Sequence, residues 1–167
     1  ELPVGPGKAI PVSTGWLRRA VEGWAVSGST SVFSGEPVLL RPLFNNTGGI
    51  VPGLRVNVVP GVDPHVPKPG PELWFNAAAF DQPADFTLGN GPRTHPTLRN
   101  PLNQNHDLSM TKRITLKGDT TLEFNAVALN FLNHANWNNP DPVIGSAAAP
   151  NTNAGKITGS FGGRVMQ

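Results

Sequence analysis

A long stretch of alternating side chains near the middle of the chain constrains the fold more than any other feature. Over Asp107–Lys117 polar and apolar residues alternate, and Lys112 alone breaks the alternation. The apolar positions of this stretch are Leu108, Met110, Ile114 and Leu116. Gly118-Asp119 is a turn signal, and the alternation resumes over Thr121–Leu132. Because a period of two residues is typical of β-strands, the region predicts an antiparallel β-hairpin.

The predicted strands are unusually long. Each has about eleven residues, whereas strands of globular proteins usually have about five or six. A strand that crosses a membrane needs about 9–11 residues. The second strand places apolar side chains of different sizes on one face, at Leu122, Phe124, Ala126 and Ala128. The hairpin therefore has the dimensions of a membrane-spanning strand pair.

The composition favours turns and extended backbone over helices. The chain has 167 residues, of which 19 are Gly and 18 are Pro, and both residues disfavour helix interiors. Four Trp and eight Phe residues argue against an intrinsically disordered chain. The net charge of +2 is too small to suggest a nucleic-acid partner. The sequence contains no Cys, which excludes disulfide bonds, and no apolar run long enough for a transmembrane helix.

We predict an all-β fold in a single β-rich segment over residues 1–167. Long antiparallel hairpins alternate with long loops that are rich in Pro, Gly and Asn. A lead-in over 1–15 precedes a first strand pair (20–41), a long loop region (42–105), the central hairpin (106–132), a second loop (133–155) and a last strand (156–167). Such a chain forms a partial, open sheet derived from a barrel, and we expect neighbouring chains to complete it.

Local patterns add detail to two of these parts. In the first strand pair, residues 20–33 alternate, and Val38 to Arg41 is expected to begin the partner strand. In the long loop region, Leu54 to Val59 predicts a short strand. Asn76 precedes three Ala residues, and its side chain is expected to cap one helical turn, because Asn accepts a hydrogen bond from a free backbone N–H.

A series of short motifs occurs in order along the chain. They are LWFNAAAF at 73–80, LGN at 88–90, LRNP at 98–101, HDLS at 106–109, LEFN at 122–125, NFLNHANW at 130–137, GKIT at 155–158 and RVMQ at 164–167. Together they resemble the TonB-dependent-receptor-like outer-membrane proteins of the carboxypeptidase-regulatory-like type. The resemblance covers most of the chain and implies the C-terminal segment of a β-barrel in the bacterial outer membrane or on the extracellular surface.

Two features of the chain differ from that family. The sequence stops at Met166-Gln167, where the resemblance places the start of the family's terminal strand. It also contains no Tyr, a residue that outer-membrane barrels use at the membrane interfaces. We therefore expect a fragment of a barrel with unpaired strand edges, which invite pairing with another copy of the chain.

No residue pattern predicts a catalytic, cofactor-binding or metal site. His65, His95, His106 and His134 do not stand at metal-ligand spacing from one another. A group that loop folding could bring together around a metal is Asp63, His65, Asp81 and Asp85. Solvated loop residues are the simpler interpretation of this group, and turn capping is the simpler interpretation of the pair Asp81 and Asp85. We predict no catalytic residue, no cofactor and no metal ligand.

Two further sets of residues have open interpretations. Asn45-Asn46-Thr47 is a sequon for glycosylation at Asn45. Sugar stacking, membrane anchoring and core packing are three uses of the Trp residues at positions 16, 24, 74 and 137.

These features predict a non-enzymatic structural protein. The first hypothesis is a fragment that assembles through its strand edges into an extracellular filament or tube, because a pairing rotation that does not close gives open-ended growth. The alternative is the strand-and-loop portion of an intact outer-membrane receptor or transporter that depends on TonB. A secreted binding module or β-sandwich enzyme is a third interpretation. The expected partners are copies of the chain itself and outer-membrane lipid, without nucleic acid.

Overall fold

The computed structural model describes residues 9, 15–49, 53–116 and 118–167. The predicted lead-in over 1–15 lies outside these residues, apart from Ala9 and Gly15. Within them are a helix α1 (Gly15–Val21), a 3-10 turn η1 (Ala77–Ala79) and the strands β1 (Trp24–Phe33), β2 (Arg41–Pro42), β3 (Asn57–Val58), β4 (Phe80–Asp81), β5 (Asn103–Thr115), β6 (Thr121–Leu129), β7 (Asn136–Trp137), β8 (Val143–Ile144), β9 (Ser160–Phe161) and β10 (Val165–Met166). No helix in this part of the chain has the length and apolar character needed to cross a membrane.

The chain divides into two compact units. The strand unit comprises the described residues of Glu1–Val32, Gln104–Ala135 and Gly162–Gln167. The loop unit comprises Phe33–Asn103 and Asn136–Phe161. Each unit is therefore built from segments that lie far apart in the sequence.

The strand unit is an open four-stranded sheet in the order β1-β5-β6-β10. Strands β5 and β6 pair in antiparallel register, with Leu108 opposite Ala128 and Ile114 opposite Leu122. Strand β10 pairs antiparallel with β6 on its other side. The hairpin that the alternation predicts is therefore confirmed, as is the all-β, open-sheet fold class. The short helix α1 was not predicted.

The connections between these strands differ greatly in length. A turn at Gly118-Asp119 joins β5 to β6, and Gly118 adopts a φ of 76° there, which glycine tolerates best. By contrast, residues 34–102 separate β1 from β5, and residues 130–164 separate β6 from β10. Because neighbouring strands run antiparallel, both long connections leave the sheet at the end opposite the short turn.

The loop unit is organised around its own apolar core. Its most deeply buried side chains include Phe75 at 0% exposure and Val38 and Val56 at 1%. The remaining buried members of this core are Leu40, Ala79, Phe80, Leu98, Ile144 and Ala154. The rings of Phe75 and Phe80 meet edge to face, with their centroids 6.2 Å apart. The long connections are therefore folded structure that contributes buried apolar area, rather than loose loop.

Two local predictions in the loop unit are confirmed. A short strand, β3, forms within the predicted stretch from Leu54 to Val59. Asn76 caps η1, because its side chain accepts a hydrogen bond from the N–H of Ala78 over 3.1 Å.

The predicted strand pair over 20–41 is wrong in its second half. Strand β1 lies beside β5 in the sheet, and Arg41–Pro42 pairs in parallel with β8. The reason is burial, because Val38 and Leu40 are both needed in the loop-unit core. Local alternation could not reveal this, since buried core residues and strand residues give the same short apolar pattern.

The predicted last strand over 156–167 is also divided. Strand β9 pairs with β7 in the loop unit, whereas β10 pairs with β6 in the strand unit. Gly162, between these strands, has a φ of 74°, which is incompatible with a continuous strand.

Removing the most buried ring of the loop unit is expected to destabilise it strongly. Phe75→Ala should lower the free energy of unfolding by about 3–5 kcal/mol, through lost burial and the cavity left behind. Denaturant unfolding followed by tryptophan fluorescence measures this change. Leu88→Ala is the control, because Leu88 is 75% exposed, and equal losses in both variants would contradict the assigned core.

Candidate functional site

Polar side chains connect the two central strands on one face of the sheet. The Nε of Arg113 lies 2.6 Å from Oε2 of Glu123, directly across the hairpin. The neighbouring cross-strand pair is linked by the Thr111 hydroxyl, which donates to Oδ1 of Asn125 over 2.6 Å. Asn125 in turn donates to Oε1 of Glu123 over 3.0 Å. This face is a hydrogen-bonded polar surface suited to water.

The opposite face of the sheet is apolar and exposed. Leu108, Met110 and Ile114 of β5 lie opposite Ala128, Ala126 and Leu122 of β6. Large apolar side chains that stay exposed on this face include Met110, Ile114, Leu122, Phe124 and Met166. A continuous apolar surface of this kind marks contact with a membrane or another protein. The two faces together have the character of a membrane-spanning wall.

Lys112, the residue that breaks the alternation, fastens helix α1 to the apolar face. Its ammonium group donates hydrogen bonds to the carbonyl oxygens of Arg19 at 2.8 Å, Ala20 at 3.1 Å and Glu22. It also lies 5.3 Å from the centre of the Trp24 ring, a favourable cation–π distance. These carbonyls at the end of a helix lack helical partners and attract a cation. The charge is therefore satisfied internally, and Lys112 is only 7% exposed.

Asn130 organises the other end of the hairpin. Its backbone N–H donates to Oδ1 of Asp107 over 2.9 Å. Its side-chain amide donates to the carbonyl oxygens of His134, at 2.9 Å, and Gly162. The residue is 2% exposed and has a φ of 48°, which Asn tolerates better than most residues. Sequence patterns did not single out this junction, because its partners are distant in the chain.

The residues considered as a possible metal group in the sequence, Asp63, His65, Asp81 and Asp85, do not form one among the described residues. Asp63 and His65 form a pair, with Oδ1 and Nδ1 2.9 Å apart. Asp81 instead accepts a hydrogen bond from the N–H of Gln82 over 2.8 Å. Among the residues that the structure describes, no three His, Cys, Asp or Glu side chains form a group that could hold a metal ion.

His95 supports the loop-unit core through its unprotonated ring nitrogen. Its Nδ1 accepts a hydrogen bond from the N–H of Leu98 over 3.0 Å, and its ring meets that of Phe80 with centroids 5.6 Å apart. Burial lowers the pKa of His95 below its usual 6.5, and the nearby His65 lowers it further. The hydrogen bond that the backbone N–H of His65 donates to Asp63, together with the bond from its ring, holds the pKa of Asp63 below its usual 3.8.

Asn45, Trp74 and Trp137 have structural partners. Both Nδ2 and Oδ1 of Asn45 are hydrogen-bonded within its own turn, to Gly49 and Thr47. Trp74 donates to the carbonyl of Arg99 over 2.6 Å and meets Trp137 edge to face at 5.9 Å. Trp74 and Trp137 thus pack within the loop unit, while the side chain of Trp16 is 73% exposed.

The loop unit contains a cavity of about 640 Å³, a volume within the usual range for small-molecule sites. Its polar lining consists of Ser34, Glu36, Asn100, Asn103, Asn138 and Asn139. Phe33 and Phe161 also line it, and the side chain of each is more than half exposed. Sequence reasoning missed this cavity, because its residues come from four separate segments.

Replacing Lys112 tests whether it holds helix α1. Lys112→Ala should remove the hydrogen bonds to the carbonyls of Arg19, Ala20 and Glu22 at the end of α1 and raise the rate of amide hydrogen exchange in Gly15–Val21 about tenfold or more. Hydrogen exchange with mass spectrometry measures this. Arg113→Ala removes an equal charge from the opposite face and should leave the helix protected, so loss of protection in both variants would contradict the proposed role.

Acid is expected to destabilise the loop unit through His95. Because its pKa is lower in the folded chain, the unfolded chain binds more protons as the pH falls below 6.5. Its contribution to stability is therefore complete above pH 6.5 and is lost as the pH falls through the folded pKa. Urea unfolding at a series of pH values measures this loss. His95→Asn keeps an acceptor for Leu98 and should flatten the dependence; an unchanged profile would assign the effect to other groups.

Comparison with known proteins agrees with this wall-like sheet. Residues 1–167 match the family described as the outer membrane beta barrel domain. No curated protein and no solved structure matched the chain significantly. The family match, the alternating faces and the strand lengths agree, and the chain belongs to the outer membrane beta barrel domain family, with its place in the outer membrane.

Proposed function

We propose that this chain forms part of the wall and the outer loops of an outer-membrane transporter of the TonB-dependent-receptor-like kind. The observation that carries the proposal is the combination of a two-faced sheet with the family match over the whole chain. The motifs at 73–80, 98–109 and 122–137 favour the TonB-dependent type within that family. In this role the chain lines part of the path that a ligand takes through the barrel and also binds that ligand.

The two faces of the sheet have distinct places in such a barrel. The apolar face, with Met110, Ile114 and Phe124, contacts lipid, since outer-membrane barrels carry an outward-facing apolar band. The opposite face, with the Arg113–Glu123 ion pair, lines the polar interior. Outer-membrane lipid is thus one partner of the chain.

The lengths of the connections set the orientation of the chain. Outer-membrane barrels have short turns on the periplasmic side and long loops on the outside. The turn at Gly118-Asp119 therefore faces the periplasm, and the strand ends that lead into the long connections face outward. A folded loop unit with a cavity is well suited to meet a ligand before it enters the barrel.

We also propose that this role is non-enzymatic. Glu36 is the only titratable residue that lines the described cavity, whereas acid–base catalysis usually combines several positioned groups.

Self-assembly into a filament or tube stays a second prediction. Strands β1 and β10 are the outer strands of the described sheet. In a barrel they pair with further strands of the same wall, and in a filament they pair with another copy of the chain. Native mass spectrometry with electron microscopy separates these outcomes, since the first gives a membrane-embedded ring and the second gives extracellular fibres.

Site-specific labelling tests the proposed orientation. The sequence contains no Cys, so single thiols can be introduced by Leu88→Cys in the loop unit and Asp119→Cys in the turn. A membrane-impermeant maleimide should label the first variant on intact bacteria and the second only after the outer membrane is permeabilised. The reverse pattern, or equal labelling of both variants on intact cells, would contradict the orientation.

A further inference from the structure

The asparagines around the cavity differ in their hydrogen bonding from asparagines that hold the backbone of the loop unit, such as Asn46 and Asn151. Elsewhere, Asn46 donates to the carbonyls of Pro83 and Thr87, and Asn151 donates to Asp141 and Val143. Such amides are used to hold the backbone in place. The described structure gives no hydrogen-bond partner to the side chains that form the polar lining: Ser34, Glu36, Asn100, Asn103, Asn138 and Asn139.

Asn103 shows most clearly that polar atoms of this lining lack hydrogen-bond partners. Its Oδ1 atom is buried and has no hydrogen-bond partner within the described residues. Leaving a buried acceptor unbonded costs about 1–3 kcal/mol. The polar side chains of the lining that are open to a ligand are Ser34, Glu36, Asn100, Asn138 and Asn139.

The charges around the cavity narrow the class of ligand. Among the described residues, Glu36 is the only charged residue in the lining, and no lining residue is basic. A phosphate or carboxylate ligand would meet a carboxylate without a compensating cation, which disfavours anions. A bound metal ion would need more than one strong ligand group. An uncharged ligand with many hydroxyl groups fits best, because an Asn amide both donates and accepts hydrogen bonds, as a hydroxyl does.

The aromatic residues add a surface for a ring. The side chain of Phe33 is 66% exposed and that of Phe161 is 52% exposed, although both line the cavity. The face of an aromatic ring carries partial negative charge. It therefore attracts the C–H groups on the apolar face of a sugar ring, while the hydroxyl groups around the edge of the sugar stay free for amides.

The walls of the cavity are held in place by backbone contacts. The N–H of Asn100 donates to the carbonyl of Glu36 over 2.8 Å, and that of Asn138 donates to Gly159 over 2.9 Å. A Cβ atom at Gly35 would overlap the carbonyl oxygen of Asn100, so the two segments approach as closely as glycine permits. Preformed walls reduce the entropy lost when a ligand binds.

The arrangement fits a peptide less well. An extended peptide usually binds by adding a strand to a sheet edge, through a row of backbone groups. The polar lining here is made of side chains from separate segments, at 34–36, 100–103 and 138–139. Such dispersed amides match hydroxyl groups that project in several directions.

We propose that this cavity of the loop unit binds an uncharged oligosaccharide. One sugar ring stacks on Phe33 or Phe161, and its hydroxyl groups bond to Asn100, Asn139 and Glu36. The inference deepens the proposed uptake function and rests on it for the outward position of the cavity.

Direct binding measurements test the proposal on the full protein that contains this chain, purified in detergent. The probes are neutral oligosaccharides of glucose, xylose, mannose and N-acetylglucosamine, with an oligogalacturonate and a neutral pentapeptide as comparison ligands. Titration calorimetry should detect saturable binding of at least one neutral oligosaccharide. Saturable binding of the oligogalacturonate or the peptide alone would overturn the proposal, as would the absence of binding to every neutral probe.

Matched variants locate the binding. Asn139→Ala and Phe161→Ala should each raise the dissociation constant about three- to tenfold. Asn139→Ala removes a hydrogen bond, and Phe161→Ala removes a contact with the sugar ring. Their controls are Asn153→Ala and Phe86→Ala, because Asn153 and Phe86 are exposed residues of the loop unit that do not line the cavity. Equal effects of the cavity and control variants would overturn the assigned site.

Thiol labelling of the same protein separates this inference from the proposed function. If Leu88→Cys and Asp119→Cys label as expected and no neutral oligosaccharide binds, the ligand class is wrong while the outward orientation stands. If an oligosaccharide binds in the cavity and the labelling is reversed, the site stands and the proposed orientation is wrong.

Discussion

The antiparallel register between β5 and β6 is the constraint on which the strand unit depends. In this register Met110 lies opposite Ala126 and Thr111 lies opposite Asn125, so apolar and polar pairs separate onto two faces. Because side chains alternate along a strand, a slip of one residue would place every side chain of one strand on the wrong face. The Arg113–Glu123 pair then could not form across the polar face. The ladder also pairs backbone groups between strands, as a bilayer requires.

The buried polar residues of the strand unit lie where the sheet meets a neighbouring segment, and they hold that segment in place. Lys112 lies among apolar neighbours because its ammonium group satisfies the free carbonyls at the end of α1. At the other end of the hairpin, Asn130 ties the exit of β6 to Asp107 and Gly162. Both side chains are buried, and their polar groups are hydrogen-bonded, which avoids the large free-energy cost of an unsatisfied polar group. The wall therefore has organised ends as well as a patterned surface.

The loop unit gives the protein a surface that the sheet alone would lack. Its core around Phe75 fixes the long connections, which would otherwise lose much conformational entropy on binding a ligand. Within this fixed frame, most amides bond to the backbone, and a cluster around one cavity does not. That contrast supports the proposal that the sheet forms the barrel wall while the loop unit contacts a ligand.

The sequence by itself determined the features that depend on local periodicity and local turn chemistry. Alternation around Leu108 and Leu122 was enough to predict the hairpin and its faces, because the period of a strand is fixed by backbone geometry. The Asn76 cap was predictable for the same reason, since its partner is two residues away. Only the tertiary structure decided that Val38 packs in a core and that β1 lies beside β5. It alone brought Glu36, Asn103 and Asn139 together and gave Lys112 its partners, because contacts between residues distant in sequence depend on packing that no local pattern encodes.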